Sequence, residues 1–296
     1  MPTPPSLLVR LAPALFVLIW STGWIAAKFG APDADPLTFL SVRFVLAAIC
    51  LTLVAMIAGA PWPRTGAAWG HGMAAGVLLH GLYLGAVWWA IARGVPAGIS
   101  GLIAAIQPIL TALLAPRLIG ETISRRQWAG IWIGLAGISL VLWPKLVGLD
   151  PAALRAVAIP LLVNIAGMVF VTLGTFYQKR FVTQGDLRTV TVLQYLGAAT
   201  VTIPIALATE TLRLDWTPTL ILTMAWSVVA ISMGAIGLLM MLLRQGAVSR
   251  AAALIYLMPP VVAVEAFLIF GEALVPIQLL GLIVTSAGVA LAVRRA

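Results

Sequence analysis

Arg43 and Glu265 each place an ionisable group about two turns inside a long apolar run of the chain. A charge in a hydrocarbon layer is costly, so such residues mark a substrate or ion pathway unless they pair or reach outward to the headgroups. The planar fork of Arg43 suits a carboxylate, and Glu265 suits an amine or a proton. The alternative for both is structural: an arginine satisfied by a carboxylate or by backbone, and a carboxylate satisfied by its neighbours. His80, in the middle of a run, bonds into a cavity, titrates, or simply packs.

A second set is aromatic and polar. Trp20 and Trp24 stand one turn apart on the first run, His80 and Tyr83 share a helical face of the third, and Gln107 precedes Pro108 in the fourth. Asn164 is central in the sixth run, and Tyr256 lies three residues before Pro259 in the ninth. Buried Trp and Tyr need partners for their N–H and O–H groups, and a shared cavity near mid-depth would serve all of them. Polar contacts between helices would serve each one singly. Pro108 and Pro259-Pro260 interrupt their runs at equivalent points, freeing a carbonyl as a hinge or a fixed kink would. No Walker A loop, zinc-ligand spacing or nucleophile–base set occurs, and Cys50 is the lone cysteine. The expectation is no enzyme, no cofactor, no metal and no ATP-driven step within this chain.

The elements that position these residues follow from composition. Hydrophobic residues make up 62% and charged residues 9% of the chain, with a mean hydropathy of +1.08. A soluble domain with so little charge could not cover its surface, so lipid is the expected solvent. The net charge of +9 is spread over loops one or two residues at a time, which excludes a nucleic-acid stripe. Ten apolar segments, near 8–28, 36–58, 68–92, 96–116, 126–143, 151–178, 187–208, 217–243, 248–270 and 275–293, are long enough to cross about 30 Å of hydrocarbon. Without water they must be helical. The first twenty residues lack a charged n-region and a cleavage site, so the first run reads as a retained span.

With the N-terminus cytoplasmic, twelve Lys and Arg fall on the inner side and five on the outer, with Arg43 inside a span. This bias favours cytoplasmic N- and C-termini. Trp62, Trp69, Trp88, Trp89, Trp128, Trp143 and Trp216 fall near span ends, as an interfacial belt does.

The chain also repeats itself. A step of 151 residues sets Lys28 on Lys179, Asp35 on Asp186, Arg93 on Arg244, Pro108 on Pro259, Gly120-Glu121 on Gly271-Glu272, and Gly130 and Gly137 on Gly281 and Gly288. Matches of rare residues at one register indicate two copies of a module, 1–145 and 146–296. Five spans per copy is odd, so the second copy enters the membrane from the opposite side. The fold class expected is an all-α membrane protein of ten transmembrane helices in two inverted five-helix repeats. Such inversion is characteristic of alternating-access transporters. Gly130, Gly134 and Gly137, echoed by Gly281, Thr285 and Gly288, give small-residue faces that read as scaffold.

The run Phe16-Val-Leu-Ile-Trp-Ser-Thr-Gly-Trp24 with Lys28 beyond it, Pro36-Leu-Thr-Phe-Leu-Ser-Val-Arg43-Phe44, and the two Pro…Gly-Glu segments resemble the drug/metabolite transporter superfamily, in particular its ten-helix EamA-type exporters. The resemblance covers nearly the whole chain. It implies an inner-membrane secondary carrier of bacterial type that exports amino acids or related metabolites, in some members toxic organic cations. It also implies a central cavity lined by helices 1, 3, 4, 6, 8 and 9. The aromatic lining resembles the branch of aromatic amino-acid exporters. The site expected is Trp20, Trp24, His80, Tyr83, Gln107, Asn164 and Tyr256 around the substrate, with Arg43 and Glu265 as gating or charged residues. The expected partners are a small-molecule substrate and the lipid bilayer, with the chain a monomer or weak dimer. A lipid-handling enzyme would need paired carboxylates at one interface, and a channel a continuous polar stripe.

Overall fold

The computed structural model describes residues 7–119, 124–146, 151–235, 237–238 and 258–293. It is helical almost throughout: α1 (Leu7–Gly30), α2 (Pro36–Ile57), α3 (Gly66–Ala92), α4 (Ala97–Ile103), α5 (Ile106–Ile119), α6 (Arg125–Leu146), α7 (Pro151–Phe181), α8 (Leu187–Thr209), α9 (Pro218–Gly234), α10 (Met258–Phe270) and α11 (Pro276–Val293). Five helices are long and apolar enough to cross a membrane: Leu11–Gly30, Pro36–Ile57, Gly66–Ala92, Ala158–Phe181 and Leu187–Thr209. Large apolar side chains lie on the outer surface as well as in the core. Ile57, Leu222 and Leu268 are 88%, 70% and 73% exposed, while Phe39, Phe44 and Ile109 are fully buried. Only lipid makes that surface affordable.

Local chemistry sets the helix ends. Proline opens α2, α7, α9 and α11, where its missing N–H would have no intrahelical partner anyway. Thr65, Asp186 and Thr217 cap α3, α8 and α9 by accepting from Ala68 N (3.2 Å), Arg188 N (2.9 Å) and Leu220 N (3.1 Å). Before α6, Ser124 and Gln127 bond reciprocally, in a capping box. The 151-residue step carries Pro36 to Leu187 and Arg125 to Pro276, both helix starts, and Gly30 to Phe181 and Ile119 to Phe270, both helix ends.

Two features depart from plain α-helix. Val77–Leu82 of α3 and Trp226–Gly234 of α9 are π-helical, and the same step carries the first into the second. The α4–α5 break lies just ahead of Pro108 rather than at it. Ala104 N and Ala105 N bond back three residues, to Gly101 O (3.2 Å) and Leu102 O (3.1 Å). Pro108 cannot donate to the Ala104 carbonyl, and Gln107 N takes its place at 3.1 Å. Pro259 and Pro260 likewise fall in the first turn of α10.

Helices related by the step pack on each other. Along α6 and α11, a Cβ on Gly137 would meet Thr285 and the Gly281 carbonyl, and one on Gly288 would meet Gly134 and the Gly130 carbonyl. Low numbers on one helix oppose high numbers on the other, so the pair is antiparallel. The α2–α8 pair is antiparallel too: Leu37 meets Glu210, Ser41 Oγ donates to Thr202 Oγ1 (3.0 Å), and Thr189 Oγ1 donates to the Pro61 carbonyl (3.0 Å). Helix α3 lies main chain to main chain on α8, because a Cβ on Gly76 would fall on the Gln194 carbonyl and one on Gly197 on that of Met73.

At the Lys28 end, the loop before α2 and the loop after α8 form an antiparallel bridge, Ala34 to Leu214. The Glu210 carboxylate caps α2 from across the bundle, accepting from Leu37 N (2.9 Å) and Thr38 N (2.8 Å). Asp35 accepts from Thr211 N, Thr211 Oγ1 and Arg213 N at 2.7–3.1 Å. Partial burial works to raise the Asp35 carboxyl, but these hydrogen bonds and the Arg213 charge outweigh it and hold it below the usual range.

Candidate functional site

Arg43 is 3% exposed and does not snorkel. Its Nε and Nη2 donate to Ser232 Oγ at 3.3 and 3.2 Å. No carboxylate among the described residues pairs with it, and its other donors find no acceptor there. Ser232 lies in the π segment of α9. One residue on, Phe44 stacks on Tyr195, with ring centroids 5.7 Å apart and planes at 15°. The Tyr195 hydroxyl donates to the Ser232 carbonyl at 3.5 Å. Phe44 and Tyr195 are equivalent under the 151-residue step, as are Arg43 and Gln194.

Gln194 in turn holds His80, in the π segment of α3. Its Nε2 donates to Gln178 Oε1 (3.0 Å) and its Oε1 lies 3.3 Å from His80 Nε2. That orientation makes Nε2 the protonated nitrogen and leaves Nδ1 as the acceptor. Thus α2 reaches the π segment of α9 through Arg43, and α8 reaches that of α3 through Gln194. π segments recur at functional sites because the wider turn re-aims side chains.

The other expected residues form two further groups. On α1, Ser21 Oγ donates to Glu265 Oε1 of α10 (2.7 Å), and Thr22 Oγ1 accepts from Trp226 Nε1 (2.9 Å). Trp24 beside them is buried, while Trp20 is half-buried and tilts against Phe16 at 5.3 Å. In α7, Asn164 Nδ2 donates to Ser100 Oγ of α4 (2.7 Å). Tyr83 lies against Gly167 of the same helix, where an added Cβ would sit 3.2 Å from the Tyr83 carbonyl. His80 and Tyr83 therefore do not face one neighbour as α-helical spacing implies. The π turn separates them, His80 toward α8 and Tyr83 toward α7. Gln107 sits half-buried in the first turn of α5. Tyr256 lies outside the described residues.

Four buried polar atoms have no partner among the described residues: Trp24 Nε1, Asn164 Oδ1, Ser227 Oγ and Glu265 Oε2. Buried polar groups are normally satisfied, by ordered water where protein supplies no partner, so these atoms are open to water or to a polar solute. A cavity of about 270 Å³ opens elsewhere, at the Lys28 end, lined by Pro96, Ile99, Pro144, Glu272, Val275 and Gln278. Among the described residues no three His, Cys, Asp or Glu side chains group as a metal site requires. Gln178, Gln194, Tyr195 and Ser232 were not among the residues expected. The repeat register held the available signal, since it sets Gln194-Tyr195 against Arg43-Phe44.

Comparison with known proteins agrees with this architecture. The profile of the EamA-like transporter family matches residues 9–143 and again 158–294. A probable amino-acid metabolite efflux pump of Escherichia coli is 24% identical over 285 residues, covering 93% of this chain and 91% of that one. The uncharacterized inner membrane transporter YedA of Escherichia coli is 33% identical over 136 residues, and an uncharacterized transporter of Synechocystis is 32% identical over 127. These two alignments span 44% and 37% of the relatives' own lengths. A solved structure, 20% identical, superposes with a TM-score of 0.66 over 96% of this chain and 97% of its own, which shows a shared fold. With two profile matches that together take in nearly the whole chain, this protein belongs to the EamA-like transporter family.

Proposed function

We propose that the protein exports amino acids or similar carboxylate-bearing metabolites across the inner membrane by alternating access. In this reading ten spans form two inverted five-helix repeats, 1–145 and 146–296, with both termini cytoplasmic and the Lys28 end outside. The antiparallel pairing of α2 with α8 and of α6 with α11 supports the inversion, and the twelve-to-five basic bias supports the orientation. The observation that carries the substrate class is Arg43: a buried guanidinium with spare donors, tied among the described residues only to a serine hydroxyl, offers a carboxylate a charge-assisted bidentate contact. Trp20, Trp24, His80, Tyr83, Gln107, Asn164 and Tyr256 surround the substrate, and Glu265 receives its ammonium group. The resemblance of the full chain to a probable amino-acid metabolite efflux pump supports the same reading.

Organic-cation export is the second reading, favoured by Glu265, whose Oε2 has no partner among the described residues and lies next to a tryptophan-bearing helix. Counterflow in proteoliposomes separates the two. Saturable exchange of labelled phenylalanine or threonine, lost in Arg43→Met and not restored in Arg43→Lys, is the expected result. Exchange of tetraphenylphosphonium alone, indifferent to Arg43, overturns the amino-acid reading.

A further inference from the structure

The ion pair between Lys28 and Glu272 joins the two profile-matched stretches at one end of the bundle. Glu272 does more than pair. Its carboxylate also accepts from the first amides of α4, Gly98 N at 2.9 Å and Ala97 N at 3.3 Å. Lys28 Nζ lies over the Phe270 ring, 4.3 Å from its centroid. One side chain thus holds the end of α1, the start of α4 and the end of α10 together. Beneath it α4 and α10 touch through small residues: a Cβ on Gly98 would lie 3.4 Å from Ala266 Cβ, and one on Gly101 would press on Val262. Two turns below, Ser21 and Glu265 form a second polar rung on the same pair of helices. The equivalent lysine of the second repeat, Lys179, is exposed and ion-pairs with none of the described residues.

We propose that Lys28, Glu272 and the first two amides of α4 form the gate at this end, and that each transport cycle parts them. This rests on the alternating-access reading. The chemistry suits a gate. The Lys28 side chain is 35% exposed and that of Glu272 15%, so water reaches the pair and replaces its bonds as they open, and a partly exposed ion pair is weak enough to break. Glu272 holds three donors at once, so releasing its carboxylate frees all three helices together.

The test uses a chain with Cys50→Ala and Val262→Cys, the second being fully buried against Gly101 one turn below Ala266. A membrane-impermeant methanethiosulfonate is added on the Lys28 side and the labelling rate is followed. Slow labelling is expected with the gate intact, about tenfold faster labelling in Glu272→Gln, a smaller rise in Lys28→Met, and near-original slowness in Lys28→Arg. Equal rates in all of these overturn the proposal. A second measurement covers variants that fail to insert. With Lys28 and Glu272 kept, a disulfide between Gly98→Cys and Ala266→Cys, close enough to form, must stop amino-acid counterflow until it is reduced. Counterflow through the intact disulfide also overturns the proposal. Labelling needs no substrate, so a chain that labels as expected but moves no amino acid sinks only the substrate reading.

Discussion

Where α6 meets α11, Gly130, Gly134 and Gly137 oppose Gly281, Thr285 and Gly288, and main chain touches main chain. Where α1 meets α10, the contacts are Ser21 with Glu265 and Lys28 with Glu272. Both seams join the two repeats, the first through equivalent helices and the second through helices that are not equivalent, and their materials are opposite. In lipid, close glycine packing is gained from van der Waals contact and has no competitor, so the first seam is a fixed joint. Hydrogen bonds at the second can be exchanged for bonds to water or solute, so it can part without leaving orphaned groups. The substrate-facing chemistry proposed above lies along the second kind of contact, where opening creates a wet surface.

Substitutions should separate the two seams sharply. The largest effect is expected from Gly137→Leu, whose side chain has only the backbone of α11 to occupy. Loss of at least about 3 kcal/mol of stability, or failure to yield folded protein, should appear in thermal unfolding in detergent. Gly23→Ala, with nothing within 4 Å of the added carbon, should leave the melting curve unchanged. Arg43→Met should retain the fold but lower amino-acid counterflow about a hundredfold, the scale of a lost buried charge contact. Ser21→Ala should cost no more than about 2 kcal/mol of stability while changing turnover. A seam that melts instead would contradict its role as a parting contact.

The smallest effect belongs to the loop bridge. The folded Asp35 carboxyl titrates below its unfolded value of 3.8. Its stabilisation is therefore whole above about pH 5 and fades as pH falls through the folded value. Asp35→Asn should lower the melting temperature modestly at pH 7, where the carboxylate's stabilisation is whole, and flatten its fall between pH 5 and pH 3, so that the two proteins converge at acid pH.

Helix ends, the repeat and the glycine faces were legible in the sequence, since proline, capping residues and glycine act over a few residues and leave local marks. The break before Pro108 was legible to within four residues, because the missing N–H fixes which carbonyl goes unserved. The site was less so. Arg43, His80, Asn164 and Glu265 announced themselves as polar groups in apolar runs. Their partners Ser232, Gln178 and Ser100 are ordinary residues whose importance is a matter of juxtaposition. The π segments left no mark at all, because the same apolar residues satisfy either helix. That is why the facing of His80 and Tyr83 came out differently in the fold. Lys28 and Glu272 looked like loop charges until three helix ends converged on them.

The stack of Phe44 on Tyr195 has a longer reach. Each ring is the other's counterpart, and along α6 and α11 the pairing is likewise reciprocal, Gly137 with Thr285 and Gly134 with Gly288. Contacts of that kind are self-complementary, as in an isologous homodimer. A single half, inserted in both orientations, could make all of them with a second copy of itself. Joined in one chain, the two copies need not be identical, and equivalent positions do differ, arginine standing at 43 and glutamine at 194.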